Sequence, residues 1–417
     1  MDKFDAIVIG GGPAGSAAGS ILAREGYRTV ILEKDPFPRY RIGESLLPFC
    51  YFPLQKLGLI EAMKQSDFIR KHSVQFVSKS GKQSSPFYFA EHMNHEAAET
   101  WQVERSDFDK MMIDHATALG ADFRQGITVL DLAHDASGKV CGVKARNEDG
   151  ETATLEAKIT IDASGRNALS ASRKRWRVMD QNLKKIAIWA YFKGALRDEG
   201  IDEGATTVAY LDGKNWFWYI PLRNDTVSVG LVGEKDFLFS ESRDPETVFQ
   251  SKVKQNRWIQ SHLAPSTRVK PYQQVGDFSY RSRHCAADGL LLTGDAFAFL
   301  DPVFSSGLFL ALQGGVLAGE AAVEALRKED YSAAQFDRYG QELIEAIENM
   351  RKLVYAFYDP TFNFKDLFKK YPDLHGDVTD CLIGNLNKDF TALFKAVSEF
   401  AEIPEPLAYG HPLAALT

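Results

Sequence analysis

Residues 4–33 read Phe4-Asp-Ala-Ile-Val-Ile-Gly10-Gly-Gly-Pro-Ala-Gly15-Ser-Ala-Ala-Gly-Ser-Ile-Leu-Ala-Arg24-Glu-Gly-Tyr27-Arg-Thr-Val-Ile-Leu-Glu33. Phe4–Ile9 is a short, mostly apolar run, the pattern of a strand buried on both faces. It enters a G-x-G-x-x-G turn at Gly10, Gly12 and Gly15, followed by a helix of small residues. Gly10 allows the tight turn, Gly12 lets a pyrophosphate approach the backbone, and Gly15 lets helix and strand pack closely. The free amides and positive dipole end of that helix suit a diphosphate. A second strand over residues 27–32 ends at Glu33, where a carboxylate accepts a ribose hydroxyl. A glycine turn alone says little. Strand, turn, helix, strand and acid within one short unit predict a dinucleotide site, with Gly10, Gly12, Pro13, Ala14, Gly15, Glu33 and Lys34 as its candidate residues.

Three later segments decide which dinucleotide. The apolar strand Gly289-Leu-Leu-Leu-Thr293 leads to Gly294-Asp295, and a helix is expected from near Gly307. An Asp at that strand end can bind a ribityl hydroxyl, and the helix N-terminus can face a flavin pyrimidine edge. Ile159-Thr-Ile-Asp-Ala-Ser-Gly165-Arg is a third strand ending in a small-residue turn (Ala163, Ser164, Gly165) against which an adenosine half could pack. Arg105 heads a predicted helix and is a candidate partner for flavin or phosphate. In this order the segments point to FAD.

The remaining composition narrows the class. With 49 Lys+Arg against 56 Asp+Glu, the formal net charge of −7 leaves no basic footprint for nucleic acid. The 417 residues, 45% hydrophobic and 25% charged, suit two or three globular units and exclude a disordered or repeat chain. Four scattered cysteines (Cys50, Cys141, Cys285, Cys381), with no C-x-x-C pair, fit neither a disulfide framework nor a metal site. No signal peptide and no apolar stretch of membrane-spanning length is expected, so the sequence is read as cytoplasmic.

At this point the chain resembles the group A FAD monooxygenase superfamily, and within it the flavin-dependent halogenases of the phenol/pyrrole type. Trp216-Phe-Trp218-Tyr-Ile-Pro221 fits the W-x-W-x-I-P signature, and Phe299-Leu-Asp-Pro302-Val-Phe-Ser305-Ser-Gly307 fits F-x-x-P-x-x-S-x-G. Phe68–Phe76 is similar to the segment bearing the family's catalytic lysine, here Lys71. Arg41-Ile-Gly43-Glu44-Ser45 is similar to the G-E-[SA] loop beside the flavin. The resemblance implies an enzyme using reduced FAD, dioxygen and chloride or bromide to make hypohalous acid. It implies catalytic roles for Lys71, Trp216, Trp218 and Ser305, and halide contacts at Ser306 and Gly307. The implied flavin contacts are Arg41, Gly43, Glu44, Ser45, Arg105, Gly294, Asp295 and Pro302. Relatives acting on free tryptophan carry a glutamate where this chain has Phe304, so a phenolic or pyrrolic substrate is expected, free or on an acyl or peptidyl carrier protein.

The same residues have readings of their own. The alternation in Trp216–Pro221 is a strand pattern. Its two indoles would be ordinary core, or a wall that lets only a small oxidant pass between flavin and substrate. Ser306 and Gly307, opening an apolar helix, make a natural anion site. Phe68, Val74 and Phe76 suggest one strand with Lys71 on a face. Lys71 is a solvated surface residue or, if that face lines a pocket, a desolvated amine of lowered pKa.

The expected fold class is α/β. A discontinuous Rossmann-like FAD domain (1–70, 101–175, 275–345) carries an antiparallel-sheet substrate domain (71–100, 176–274) and a short helical, aromatic C-terminal lid (346–417). Gly314-Gly315 lies within a helical pattern, so no second nucleotide fingerprint is read, and a separate flavin reductase is expected to supply FADH2. Rival readings are a flavin hydroxylase, a dehydrogenase or reductase of the geranylgeranyl-reductase type, and a non-catalytic redox sensor.

Overall fold

The computed structural model describes residues 3–276 and 279–413. The expected ranges also include residues 1–2, 277–278 and 414–417, which lie outside the described residues. The opening strand (Lys3–Ile9) pairs in parallel with Thr29–Glu33 on one side and with the end of Thr152–Asp162 on the other. Asp122–Gln125 and Leu290–Leu292 extend this parallel core outward, in the order expected of buried apolar strands. A hairpin, Thr128–His134 with Val140–Arg146, adds antiparallel to Thr152–Asp162.

Two helices pack on this sheet at an unusually close distance. The glycine-turn helix (Pro13–Arg24) lies against the long helix Ser306–Lys328 through small residues. A Cβ added at Gly315 would sit 2.3 Å from the Ala14 carbonyl oxygen, and one at Gly319 would sit 3.0 Å from that of Ala18. The matching order of these contacts makes the helices parallel, with both N-termini on the same side. Within the turn, Gly10 (φ +101°) approaches Ala163, where a Cβ would fall 2.4 Å from the carbonyl oxygen.

The long helix also has the length and apolarity to cross a membrane, where the sequence reading found no such stretch. Its 18-residue window has mean hydropathy 1.3, but 72% of that window is buried inside the fold. Its apolar and small residues serve packing against the glycine-turn helix.

A second eight-stranded sheet runs Thr267–Arg268, Lys185–Lys193, Thr226–Glu234, Trp216–Leu222, Thr206–Tyr210, Ser73–Val77 and Phe87–Tyr88, with Gln273–Gly276 joining Lys185–Lys193. All its pairs are antiparallel except Thr206–Tyr210 with Ser73–Val77. One face packs on the flavin-type domain. The other buries Phe217, Tyr219 and Phe192 beneath the helices Pro245–Val253 and Arg257–Leu263.

One expectation is corrected. Phe68–Phe76 is not one strand: it breaks at His72 into Ile69–Lys71, which pairs with Thr100–Gln102, and Ser73–Val77, which enters the large sheet. The boundary at 274/275 falls inside the strand Gln273–Gly276, and that at 345/346 inside the helix Asp337–Tyr358. Beyond Tyr358 the chain is helical over Phe364–Lys370, His375–Ile383 and Thr391–Val397.

If the helix contact sets the architecture, Gly315→Ala lowers the unfolding free energy by about 1–3 kcal/mol, because the new methyl meets backbone. Gly376→Ala, exposed in a helix with nothing within 4 Å of its Cβ, is neutral or stabilising by up to roughly 1 kcal/mol. Paired denaturant melts check both; equal effects would remove the helix contact from the argument.

Candidate functional site

The glycine turn forms the first wall of the site. Glu33, at the end of the second strand, is buried, and its Oε2 accepts from the Gly11 amide at 3.0 Å. Lys34, beside it, is exposed. The cation at the turn is Arg39, which the sequence reading missed. Its guanidinium donates to Asp109 at 2.8 Å and approaches Glu33 at 3.4 Å. A Cβ at Gly12 would meet only Arg39 Nη2, at 3.4 Å, so this side of the turn is open to a ligand flanked by a cation.

Arg105 heads the helix Arg105–Ala118, as expected, but its donors are already engaged. Nε and Nη2 bind Asp109, and Nη1 binds the carbonyls of Ile42 and Gly43 at 2.8 and 3.3 Å. Arg105 therefore fastens the Arg41–Ser45 loop. Arg41 itself pairs with Asp35 at 2.5 Å on the part-exposed rim. Across the site, Asp162 accepts from the Ser164 and Ser170 amides and shapes the Ala163–Gly165 turn. Asp295 follows Gly294 beside it; burial raises its carboxyl to about 6, against the pull of Arg105. Glu44 is buried and accepts from the Tyr191 hydroxyl, while its Oε2 has no protein partner. Burial raises that carboxyl to about 7.

Lys71 is fully buried. Its Nζ donates to Ser45 Oγ at 2.9 Å and to the Leu46 carbonyl at 3.1 Å, and stands 5.4 Å from the Phe89 ring centre. Ser45 Oγ in turn shares a hydrogen with Thr206 Oγ1 at 2.8 Å, and Gln102 Nε2 donates to Thr206 Oγ1 at 2.8 Å. These partners are neutral oxygens and no carboxylate pairs with the amine, so burial outweighs the opposing pull of Cys50 and lowers it to about 7. The solvated-turn reading of Lys71 does not apply.

Trp216 and Trp218 share the sheet face that packs on the flavin-type domain. Trp189, missed in the sequence, joins them: Gly230 pairs with Trp189 on one side and Trp218 on the other, and the two indole centres lie 6.3 Å apart. A Cβ at Gly230 would fall 2.1 Å from the Trp218 ring. Trp218 Nε1 donates to Ser228 Oγ at 3.2 Å, and Trp216 Nε1 to the Tyr358 hydroxyl at 2.9 Å.

The Phe299–Gly307 segment turns through Pro302–Phe304, and Ser305 takes a left-handed conformation (φ +55°). The long helix starts at Ser306 with no side-chain cap, so its first amides are available, and a Cβ at Gly307 would meet nothing within 4 Å. Phe304 is buried edge-on to Phe357 at 5.6 Å, so no carboxylate occupies that position.

These features fit FAD. The open Gly12 approach, Glu33 at the strand end, the small-residue turn after Asp162, the unpartnered Glu44 oxygen and the open Gly307 lie along the two parallel helix starts.

The FAD binding domain family matches residues 3–352. The chain is 34% identical over 340 residues to a brominase of 1H-pyrrole-2-carbonyl on a peptidyl-carrier protein from Pseudoalteromonas luteoviolacea, covering 79% of each chain. It is 30% identical over 404 residues to the corresponding chlorinase of Pseudomonas fluorescens, covering 92% of this chain and 89% of the relative. Among solved structures, the flavin-dependent brominase Bmp2 superposes with a TM-score of 0.86 at 29% identity, covering 95% of this chain and 98% of that one.

The burial of Lys71 has a measurable sign. Its amine falls from 10.5 to about 7 on folding, so between those pH values the unfolded chain binds the extra proton. This group's contribution to stability therefore rises as pH increases from 7 towards 10.5. At neutral pH, Lys71→Met should be more stable than the parent by an amount of order a few kcal/mol, and the gap should close towards pH 10. A gap that stays flat over that range in denaturant melts means that Lys71 is not held neutral.

Proposed function

Since the chain belongs to the FAD-binding-domain family and, within it, to the flavin-dependent halogenases, we propose how its own residues divide that reaction. It is an FAD-dependent oxidoreductase that halogenates an electron-rich aromatic ring, with chloride or bromide as substrate ion. When bound, reduced FAD supplies the electrons that activate dioxygen, so that halide is oxidised to hypohalous acid.

Gly10, Gly12, Pro13, Ala14 and Gly15 hold the diphosphate, with Glu33 at the ribose and Arg39 as the nearby cation. Ala163, Ser164 and Gly165 pack on the adenosine half, Gly294 and Asp295 on the ribityl chain, and Pro302 and the Arg41–Ser45 loop on the ring. Glu44, with an oxygen lacking a protein donor, accepts from the flavin edge. Ser305 sets the turn, and the amides of Ser306 and Gly307 hold the halide. Trp216 and Trp218 exclude the organic substrate from this side while hypohalous acid crosses to Lys71.

The observation that carries the reading is Lys71, fully buried, without a counter-ion, and linked through Ser45 to the loop beside the flavin site. With its amine near 7, both protonation states are populated at neutral pH. As ammonium, it hydrogen-bonds and polarises hypohalous acid. As amine, it takes the halogen: an N–halogen bond replaces one N–H, water leaves, and the ring then attacks the halogen and returns a proton to nitrogen.

The substrate we favour is a pyrrolic or phenolic acyl group on a carrier protein. Two relatives act on pyrrole-2-carbonyl carrier thioesters. Apolar Phe304, edge-on to Phe357, leaves no carboxylate at that position to serve as a base for a less reactive ring. We also propose a separate flavin reductase. Gly314-Gly315 lies within the long helix, and no second strand–glycine-turn–helix unit occurs among the described residues.

Purified protein with FAD, a flavin reductase, NADH, air and bromide, given pyrrole- and phenol-carbonyl carrier thioesters, the free acids and tryptophan, should yield a bromine isotope doublet by mass spectrometry. Lys71→Ala should lower that yield by at least about a hundredfold while reduced flavin is still oxidised. One added oxygen instead would make the enzyme a hydroxylase. Full bromination by Lys71→Ala would remove Lys71 from the mechanism.

A further inference from the structure

Tyr358, the last residue of the helix Asp337–Tyr358, joins two parts of the site that no motif connects. Trp216 Nε1 donates to its hydroxyl at 2.9 Å, and that hydroxyl donates to Asp301 Oδ1 at 3.0 Å. Asp301 is fully buried, and its Oδ1 also accepts from the Val303 amide at 3.1 Å, while its Oδ2 has no partner. On the ring, the Lys185 ammonium lies 4.3 Å from the centre and is held by Glu234 at 2.8 Å.

The turn that Asp301 opens needs such a tie. Ser305 has a backbone conformation that costs a non-glycine residue on the order of 1 kcal/mol, and neither serine side chain caps the long helix. Among the described residues, the side-chain bond within the turn is the Asp301 cap. Its carboxylate is pinned in turn by a phenol from the C-terminal helix. An unpinned buried carboxylate with one oxygen already orphaned would turn to find donors, and the helix start would move with it.

We propose that Tyr358 is a positioning residue that fixes the 301–307 turn, and so the helix start at Ser306-Gly307, against the Trp216 wall. The consequence for halide rests on the halide-binding reading above. Tyr358 touches neither the halide site nor Lys71; it acts through Asp301 and Trp216. It comes from the segment expected to form only a substrate lid.

The test uses the FAD-loaded protein and Tyr358→Phe, which keeps the ring over Lys185 and removes only the hydroxyl. Tyr355→Phe, one turn earlier and bonded to Asp180 at 2.8 Å, is the control on the same helix. Two quantities are measured: hydrogen exchange of the amides over residues 303–309, and the bromide dissociation constant by calorimetry. In Tyr358→Phe, exchange should quicken and bromide should bind about tenfold more weakly, corresponding to roughly 1.4 kcal/mol. Tyr355→Phe should leave both unchanged. Unaltered exchange over 303–309 in Tyr358→Phe overturns the proposal, as does an equal change in the control. Bromide affinity unchanged despite faster exchange would overturn the link to halide. If the parent protein binds no bromide, the halide reading fails separately, and the exchange measurement still decides whether Tyr358 holds the turn.

Discussion

Everything at the site is measured from one contact, the approach of the glycine-turn helix to the long helix. Ala14, in the first turn of one, lies against Gly315, which stands nine residues into the other. Because the helices are parallel, the start at Ser306 projects beyond the start of the glycine-turn helix at Pro13 by about 12 Å at 1.5 Å per residue. A side chain in place of Gly315 would change both the helix separation and where the second dipole points. The small residues along both helices are thus a spacing device.

Around that frame, the site is built from groups that water would normally satisfy. Lys71, Glu44, Asp295 and Asp301 are all pushed towards their neutral forms by burial. Lys71 is bonded through Ser45 to Thr206, Glu44 to Tyr191, and Asp301 to Tyr358. Such groups cost stability when folded, and they persist because the surrounding sheet and helices over-determine their positions. The same desolvation brings the Lys71 amine down to about 7.

The sequence was informative where chemistry and chain order coincide. The turn from Gly10 to Glu33 is contiguous, so its strand, helix and acid could be read directly. Trp216 and Trp218 fall two residues apart, so strand alternation alone puts them on one face. What stayed hidden depends on pairing across long separations. Trp189 meets Trp218 only through the register of both strands on Gly230. Lys71 is buried because the chain breaks at His72 and because its amine meets Ser45 and Leu46 of a distant segment, with Ser45 held in turn by Thr206, to which Gln102 also donates. Arg39 stayed hidden as well: it reaches the turn through Asp109, which lies far along the chain, while Lys34 is exposed. Tyr358 looked like one aromatic residue among many in a helical tail.

Packing around Gly230 sets how closely the indoles stand. At Gly230 the indole layer has no side chain of its own, because the Trp218 ring lies over that position while Trp189 pairs with it from the other flanking strand. Tightness therefore cannot be increased by adding atoms at the gap. A methyl there would pry the rings apart and open a leak. For the proposed barrier, tightness would thus be set at the residue that has no side chain.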